Sequence, residues 1–288
     1  MSQGLSNILS KPSGDDGLRL WLKSSGYTRR LLLSDGSDPW VGAAQYLAYF
    51  SQAQGLLRPD VAVIEVAELY ASWLSRNPAL KEAAAAKTRP SFGLRKLLDD
   101  VGPRQILFEV VEAVLANVGG RAPLVLALPS PRAWLRWIDT ALGRNHQQID
   151  DDAIEDASMY IADMVRTVSS QAIGGILIEE DAQDTALTPA GVELYKPLIN
   201  VARHYRWPVV LRLAKGPVFW SDDVDAIISD EPVPSNGTSV GLDISNDLWN
   251  GRIPPRPTMA RFYFVEVPTG HRPETVLESL CGLRALFG

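Results

Sequence analysis

Short apolar runs alternate along this chain with longer stretches in which apolar residues recur every three or four positions. The runs occupy residues 31–34, 60–67, 123–130, 173–180, 207–213, 225–231, 239–245 and 261–267. Each is rich in Val, Ile or Leu, and most lack polar alternation, as expected of strands covered on both faces. Helical spacing covers 40–54, 105–118, 132–142, 150–168, 191–205 and 274–287, and Pro103 suits a helix start. Residues 77–91 read as one further helix ending before Pro90, while Gly216, Pro217 and Pro232 interrupt any long helix after Leu213.

Eight strand candidates, most of them followed by a helix, imply a parallel sheet of the α/β class. In a chain of 288 residues this predicts a closed (β/α)8 TIM barrel, with a doubly wound open sheet as the structural alternative. The polar, Gly/Ser-rich segment 1–17 reads as a flexible N-terminal lead-in, and 18–288 as a single barrel domain.

Composition narrows the function classes. Hydrophobic residues make up 46% and charged residues 22%, enough for a large core. The net charge is −6 and no Lys/Arg-rich run occurs, which argues against nucleic acid or an anionic membrane as partner. No apolar run approaches the roughly 18 residues of a membrane span. Cys281 is the single cysteine, so no internal disulfide or thiolate metal cluster forms. Its place among Leu280, Leu283 and Leu286 suggests core packing. With no apolar leader at the N-terminus, the chain is expected to be cytoplasmic. The eight tryptophans suit a core or a homodimer interface equally.

Active sites of parallel barrels lie at the C-terminal strand ends. Polar residues there are Glu65 and Glu68, Ser130 and Arg132, Glu179 to Asp181, Arg212, Asp230 and Glu231, Asp243, and Glu266 to His271. Partial burial and like-charge proximity at one mouth raise the pKa of the acids there, as acid–base work requires. Glu179, Glu180 and Asp181 cannot all point inward, because alternate strand residues face opposite ways; Asp181 equally suits a turn cap. Among three histidines, His146 lies in a polar loop and His204 near a helix end, which leaves His271 as the catalytic candidate. No GxGxxG, GxxxxGK[ST] or GxSxG stands in the chain, and no His/Cys cluster has zinc spacing. Nothing here calls for a metal or cofactor.

Four segments, in order, resemble the uroporphyrinogen decarboxylase family of the wider superfamily that includes cobalamin-independent methionine synthase. PLVLALPSPRAWLRW (residues 123–137) resembles its strand, Gly-Ala-Pro turn and helix, with Trp137 where a substrate-contacting Tyr stands. LIEEDAQDTALTP (177–189) is similar to its Asp-containing and Leu-Ser-Pro motif, with Asp181 on the Asp. GLLRPDVAVIEVAEL (55–69) resembles the strand bearing a substrate-binding Asp, which falls at Ala67 or Glu68. FVEVPTGHRPETV (264–276) resembles the closing strand and its Gly-His-Gly loop, with His271 on the His. The family's N-terminal Arg-rich motif has no counterpart: Ser24 stands near the Arg position, and Arg29 and Arg30 are displaced.

The resemblance implies a barrel lyase acting on a small anionic, aromatic-type molecule by metal-independent acid–base chemistry. His271 is expected to transfer the proton, with Asp181 and Glu68 orienting the substrate. Arg132 or Arg212 would hold its carboxylate, while Trp134, Trp137 and Glu179 complete the pocket. Two alternatives stand beside it: a methyltransferase or O-demethylase of the same superfamily, though the His-x-Cys…Cys zinc ligands are missing, and a non-catalytic barrel subunit, which predicts a filled mouth.

Overall fold

The computed structural model describes residues 4–10, 19–144, 149–214, 216–219, 221–231, 239–254 and 260–287. His146 and Pro232 lie outside them. Eight strands form one sheet: β1 (Leu20–Lys23), β2 (Ala62–Glu65), β3 (Leu124–Pro129), β4 (Gly175–Glu179), β5 (Val209–Arg212), β6 (Ala226–Ser229), β7 (Ser239–Asp243) and β8 (Phe262–Glu266). Every ladder from β2 round through β8 to β1 is parallel. The protein is therefore a nearly closed (β/α)8 TIM barrel. β1 and β2 share no ladder. At that seam the Asp60 N–H donates to the Leu20 carbonyl at 3.0 Å, and the Asp60 carboxylate accepts from the Leu20 N–H at 2.6 Å.

The helices, in chain order, are α1 (Leu5–Ser10), α2 (Ser25–Leu32), α3 (Ala43–Leu57), α4 (Val66–Arg76), α5 (Pro78–Ala85), α6 (Pro90–Leu98) and α7 (Val101–Val118). They continue with α8 (Pro131–Ala141), α9 (Asp151–Val165), α10 (Pro189–Glu193), α11 (Lys196–His204), α12 (Ser245–Trp249) and α13 (Pro273–Phe287). No described residue between β5 and β6 is helical, which agrees with the breakers Gly216 and Pro217. None of the helices is long and apolar enough among the described residues to cross a membrane.

Strand periodicity sorts the core into an inside and an outside. Trp21, Val125, Ala127, Leu177, Val210, Ala226, Ile228, Phe262 and Phe264 pack together inside the barrel. The alternate residues, such as Ile64, Leu126, Ile178 and Leu211, pack outward under the helices. Gly241 belongs to the inner row, and a Cβ there would come within 2.4 Å of the Phe262 ring, so glycine makes room for that ring.

Three expectations from the sequence change. The triplet Leu31–Leu33 is not the first strand: Leu31 and Leu32 end α2, four residues beyond the buried Tyr27 and Thr28, and the four-residue run Leu20–Lys23 takes the strand's place. The lead-in also has structure, since α1 buries Leu5, Ile8 and Leu9 within the inner cluster. Ser239, which opens β7, donates its hydroxyl to the Leu9 carbonyl, and Leu5 lies against Gly175, which opens β4. The helix thus plugs the N-terminal end of the barrel. Cys281 corrects a third reading: it is exposed on α13, as is Leu286, while Leu280 and Leu283 turn into the core.

Candidate active site at the barrel mouth

Parity and register carry Lys23, Glu65, Glu179, Arg212, Asp243 and Glu266 onto the inner face at the C-terminal ends of six strands. Each stands two residues beyond an apolar or glycine inner position, so charge begins where the apolar filling stops. Five of the side chains, all but Glu65, are bound to one another. Lys23 Nζ donates to both Glu179 oxygens at 2.8 Å. Arg212 reaches Glu179 at 3.2 Å, Asp243 at 3.0 Å and Glu266 at 2.7 Å. Its guanidinium also lies 4.5 Å over the Phe264 ring, an arrangement that favours cations. Side-chain exposure rises from 10% at Glu179 to 46% at Glu266, so Glu179 marks the floor of the mouth and Glu266 its rim.

Asp243 is held from outside the ring. Its second oxygen accepts the Ser245 N–H at 3.0 Å and the Ser245 hydroxyl at 2.5 Å, and that hydroxyl in turn accepts the Glu266 N–H at 2.8 Å. The start of α12 thereby fixes the ends of β7 and β8 together.

Four carboxylates face two cations, and among the described residues the acid without an ion-pair partner is Glu65. It keeps a little surface open to the mouth but stands in dense protein. Burial raises its pKa first and the Glu179 charge second; Lys23 draws it down, and the balance pushes it up to about 8. The other members answer in the opposite sense. Burial opposes the Lys23 charge, but Glu179, Glu65 and Glu266 outweigh it and hold the ammonium above its usual value. Burial likewise opposes Arg212, and its three carboxylates more than compensate. For Glu266, burial raises the pKa, yet Arg212 and Lys23 bring it below the usual carboxyl value. At neutral pH the mouth therefore combines fixed charges with one acid that still carries its proton.

The residues expected from the sequence divide between this ring and its surroundings. Arg212 and Glu179 are at its centre. Glu68, in the first turn of α4, pairs with Arg29 at 3.4 Å and adds negative charge near Glu65. His271, between β8 and α13, sets its ring edge-on to Trp249 at 5.1 Å, and its carbonyl accepts from Arg30 at 2.6 Å. No described hydrogen bond or ion pair joins His271 to the ring. Asp181 caps a turn through the Gln183 N–H at 2.8 Å, as its alternative reading had it. Arg132 donates to the Thr185 hydroxyl at 2.8 Å, beside the outward-facing Glu180. Trp134 is fully buried, edge-on to Tyr70 at 5.8 Å and to Trp137 at 5.4 Å, so it fills the wall between helices and does not line the mouth. Trp137 packs against the same core, partly exposed.

Lys23 escaped sequence reasoning because the first strand was placed eleven residues too late. Glu65, Asp243 and Glu266 were visible as strand-end acids. Their alternation with the apolar inner residues was the signal that singles them out, since each holds the last inward position of its strand. Among the described residues, no three His, Cys, Asp or Glu side chains are arranged to hold a metal ion. Compared with models of known families and with curated proteins, the chain matches none.

Proposed function

We propose that this barrel is a lyase of decarboxylase type that acts on a small carboxylate by general acid–base chemistry, with Glu65 as the proton donor. The observation that carries the reading is Glu65 itself: an acid whose burial and whose neighbour Glu179 push its pKa up to about 8, close to the Lys23–Glu179 pair. A donor is most effective when its pKa lies close to the working pH. Arg212 is the only ring cation with an exposed partner, so a substrate carboxylate would displace Glu266, the rim residue, from it. As the bond to that carboxylate breaks and CO2 leaves, the electron pair stays on carbon and takes the Glu65 proton, leaving Glu65 ionised beside Lys23. Lys23 balances that new charge. The ammonium's raised pKa argues against a Schiff-base role, which needs the neutral amine. The resemblance assigns the proton to His271; the electrostatics favour Glu65.

The test is CO2 release from a panel of small carboxylic acids by the wild type, Glu65→Gln and His271→Ala. Expected is a loss of roughly 10²- to 10⁴-fold in Glu65→Gln, with His271→Ala within a few-fold of wild type. The converse pattern returns the role to His271. One observation favours a second reading, a non-catalytic barrel: both ring cations are already satisfied by the protein's own carboxylates. An absence of turnover across the panel, together with a Glu65 that titrates at the ordinary carboxyl value, would support it.

A further inference from the structure

The barrel wall is interrupted beside Glu65. Between β1 and β2, where no ladder runs, the strands and the overlying α2 and α3 enclose a cavity of about 30 Å³. A water needs roughly 10–15 Å³ of such space, so about two fit. Its lining is polar enough to retain them: the Ser24, Thr28 and Tyr49 hydroxyls, the Gln54 amide and, at the inner end, Glu65. Thr28 and Tyr49 already share a hydrogen bond of 2.7 Å, and the Tyr49 hydroxyl donates to the Ser25 carbonyl at 3.3 Å. Ser24 and Gln54 are half-exposed, so the outer end reaches towards the surface.

We propose that this seam is a water-filled proton inlet, through which Glu65 exchanges its proton with bulk solvent while a ligand occupies the mouth. The inference rests on the reading of Glu65 as proton donor. Each turnover leaves that carboxylate ionised, and a substrate seated on Arg212 covers the direct route to solvent. A water in the seam gives its proton to Glu65 and recovers one from the next water, so that the net change is one proton taken from bulk. Tyr49 stays neutral in this role, because burial raises its pKa. The groups facing Glu65 are Lys23 on β1, Glu179 on β4, Glu266 on β8, Glu68 on α4 and the hydroxyls of Tyr46 and Tyr49 on α3, with Arg29 of α2 beside those tyrosines.

Ala53 lines the same cavity, and Ala53→Leu fills it while every residue of the ring is left unsubstituted. Two measurements follow: magnetisation transfer from long-lived water to the Ala53 methyl in the wild type, and the Glu65 carboxyl-carbon titration in both proteins. The inlet predicts a water signal at Ala53 and a Glu65 midpoint that rises by about half a unit or more once the seam is dry. A dry wild-type seam, or a midpoint that Ala53→Leu leaves in place, overturns it. Ala53→Val, a smaller filling, serves if the leucine variant does not fold. A wild-type midpoint at the ordinary carboxyl value would instead sink the acid–base reading, so the two failures are told apart.

Discussion

Glu65 couples the chemistry of the mouth to the stability of the fold. In the unfolded chain a glutamate titrates near ~4.3, whereas in the folded protein Glu65 holds its proton up to about 8. Between those values the native state binds a proton that the unfolded state has lost. The contribution of Glu65 to stability is therefore fully present below the lower value, falls as pH rises through the window and is level above it. Glu65→Gln keeps the shape and the hydrogen-bonding capacity but cannot ionise. The difference between wild-type and variant unfolding free energies, measured in urea at intervals from pH 4 to 9, should drift against the wild type across that window. A difference that stays flat would show that Glu65 is ionised in the folded protein. A glutamate that costs the fold stability at neutral pH is the counterpart of a proton donor held above its ordinary pKa.

At the scale of elements, the inner row of the barrel is packed unevenly, with Trp21, Phe262 and Phe264 crowding one side. The Trp21 ring lies 5.6 Å from that of Phe262 and 6.5 Å from that of Phe264. Gly241 on the neighbouring strand accommodates this bulk. Gly241→Ala should destabilise by about 1–3 kcal/mol through overpacking, read as a lower urea midpoint, and the combination with Phe262→Leu should recover part of the loss. Equal stability of Gly241→Ala and wild type would mean that the aromatic pair moves freely. Strands β2 to β8 were legible in the sequence, because each is a short apolar run closed off by polar or turn residues. The first was not, because Leu31, Leu32 and Leu33 make a stronger apolar run than Leu20–Lys23 while belonging mostly to a helix whose buried face is completed by Tyr27 and Thr28. Helix α6 was missed for a related reason, as Pro90 reads as a stop from its N-terminal side and acts as a start. The acids of the mouth could be named from strand ends alone, but their pairing could not, since Lys23 and Glu179 lie 156 positions apart.

For the molecule as a whole, closure depends on both extremities of the described chain. Helix α1 seals the N-terminal end of the barrel with Leu5, Ile8 and Leu9, the first two 1% exposed. Ile8→Ala should cost roughly 2–5 kcal/mol, measured by urea unfolding, while the Glu65 titration at the opposite end stays where it was. A neutral Ile8→Ala would show that the plug contributes little to the closed state.

The same closure sets an order of assembly. Residues 5–23 leave the ribosome before β7 and β8, yet β1 pairs with β8 and α1 is tied to β7. Their partners around residues 239–266 are synthesised more than 200 positions later. During translation the plug and the first strand therefore wait, with Trp21 and three apolar side chains of α1 uncovered, until β7 and β8 have been made. The first strand is thus among the last to be seated, and over that interval its apolar side chains stay open to misplaced contacts.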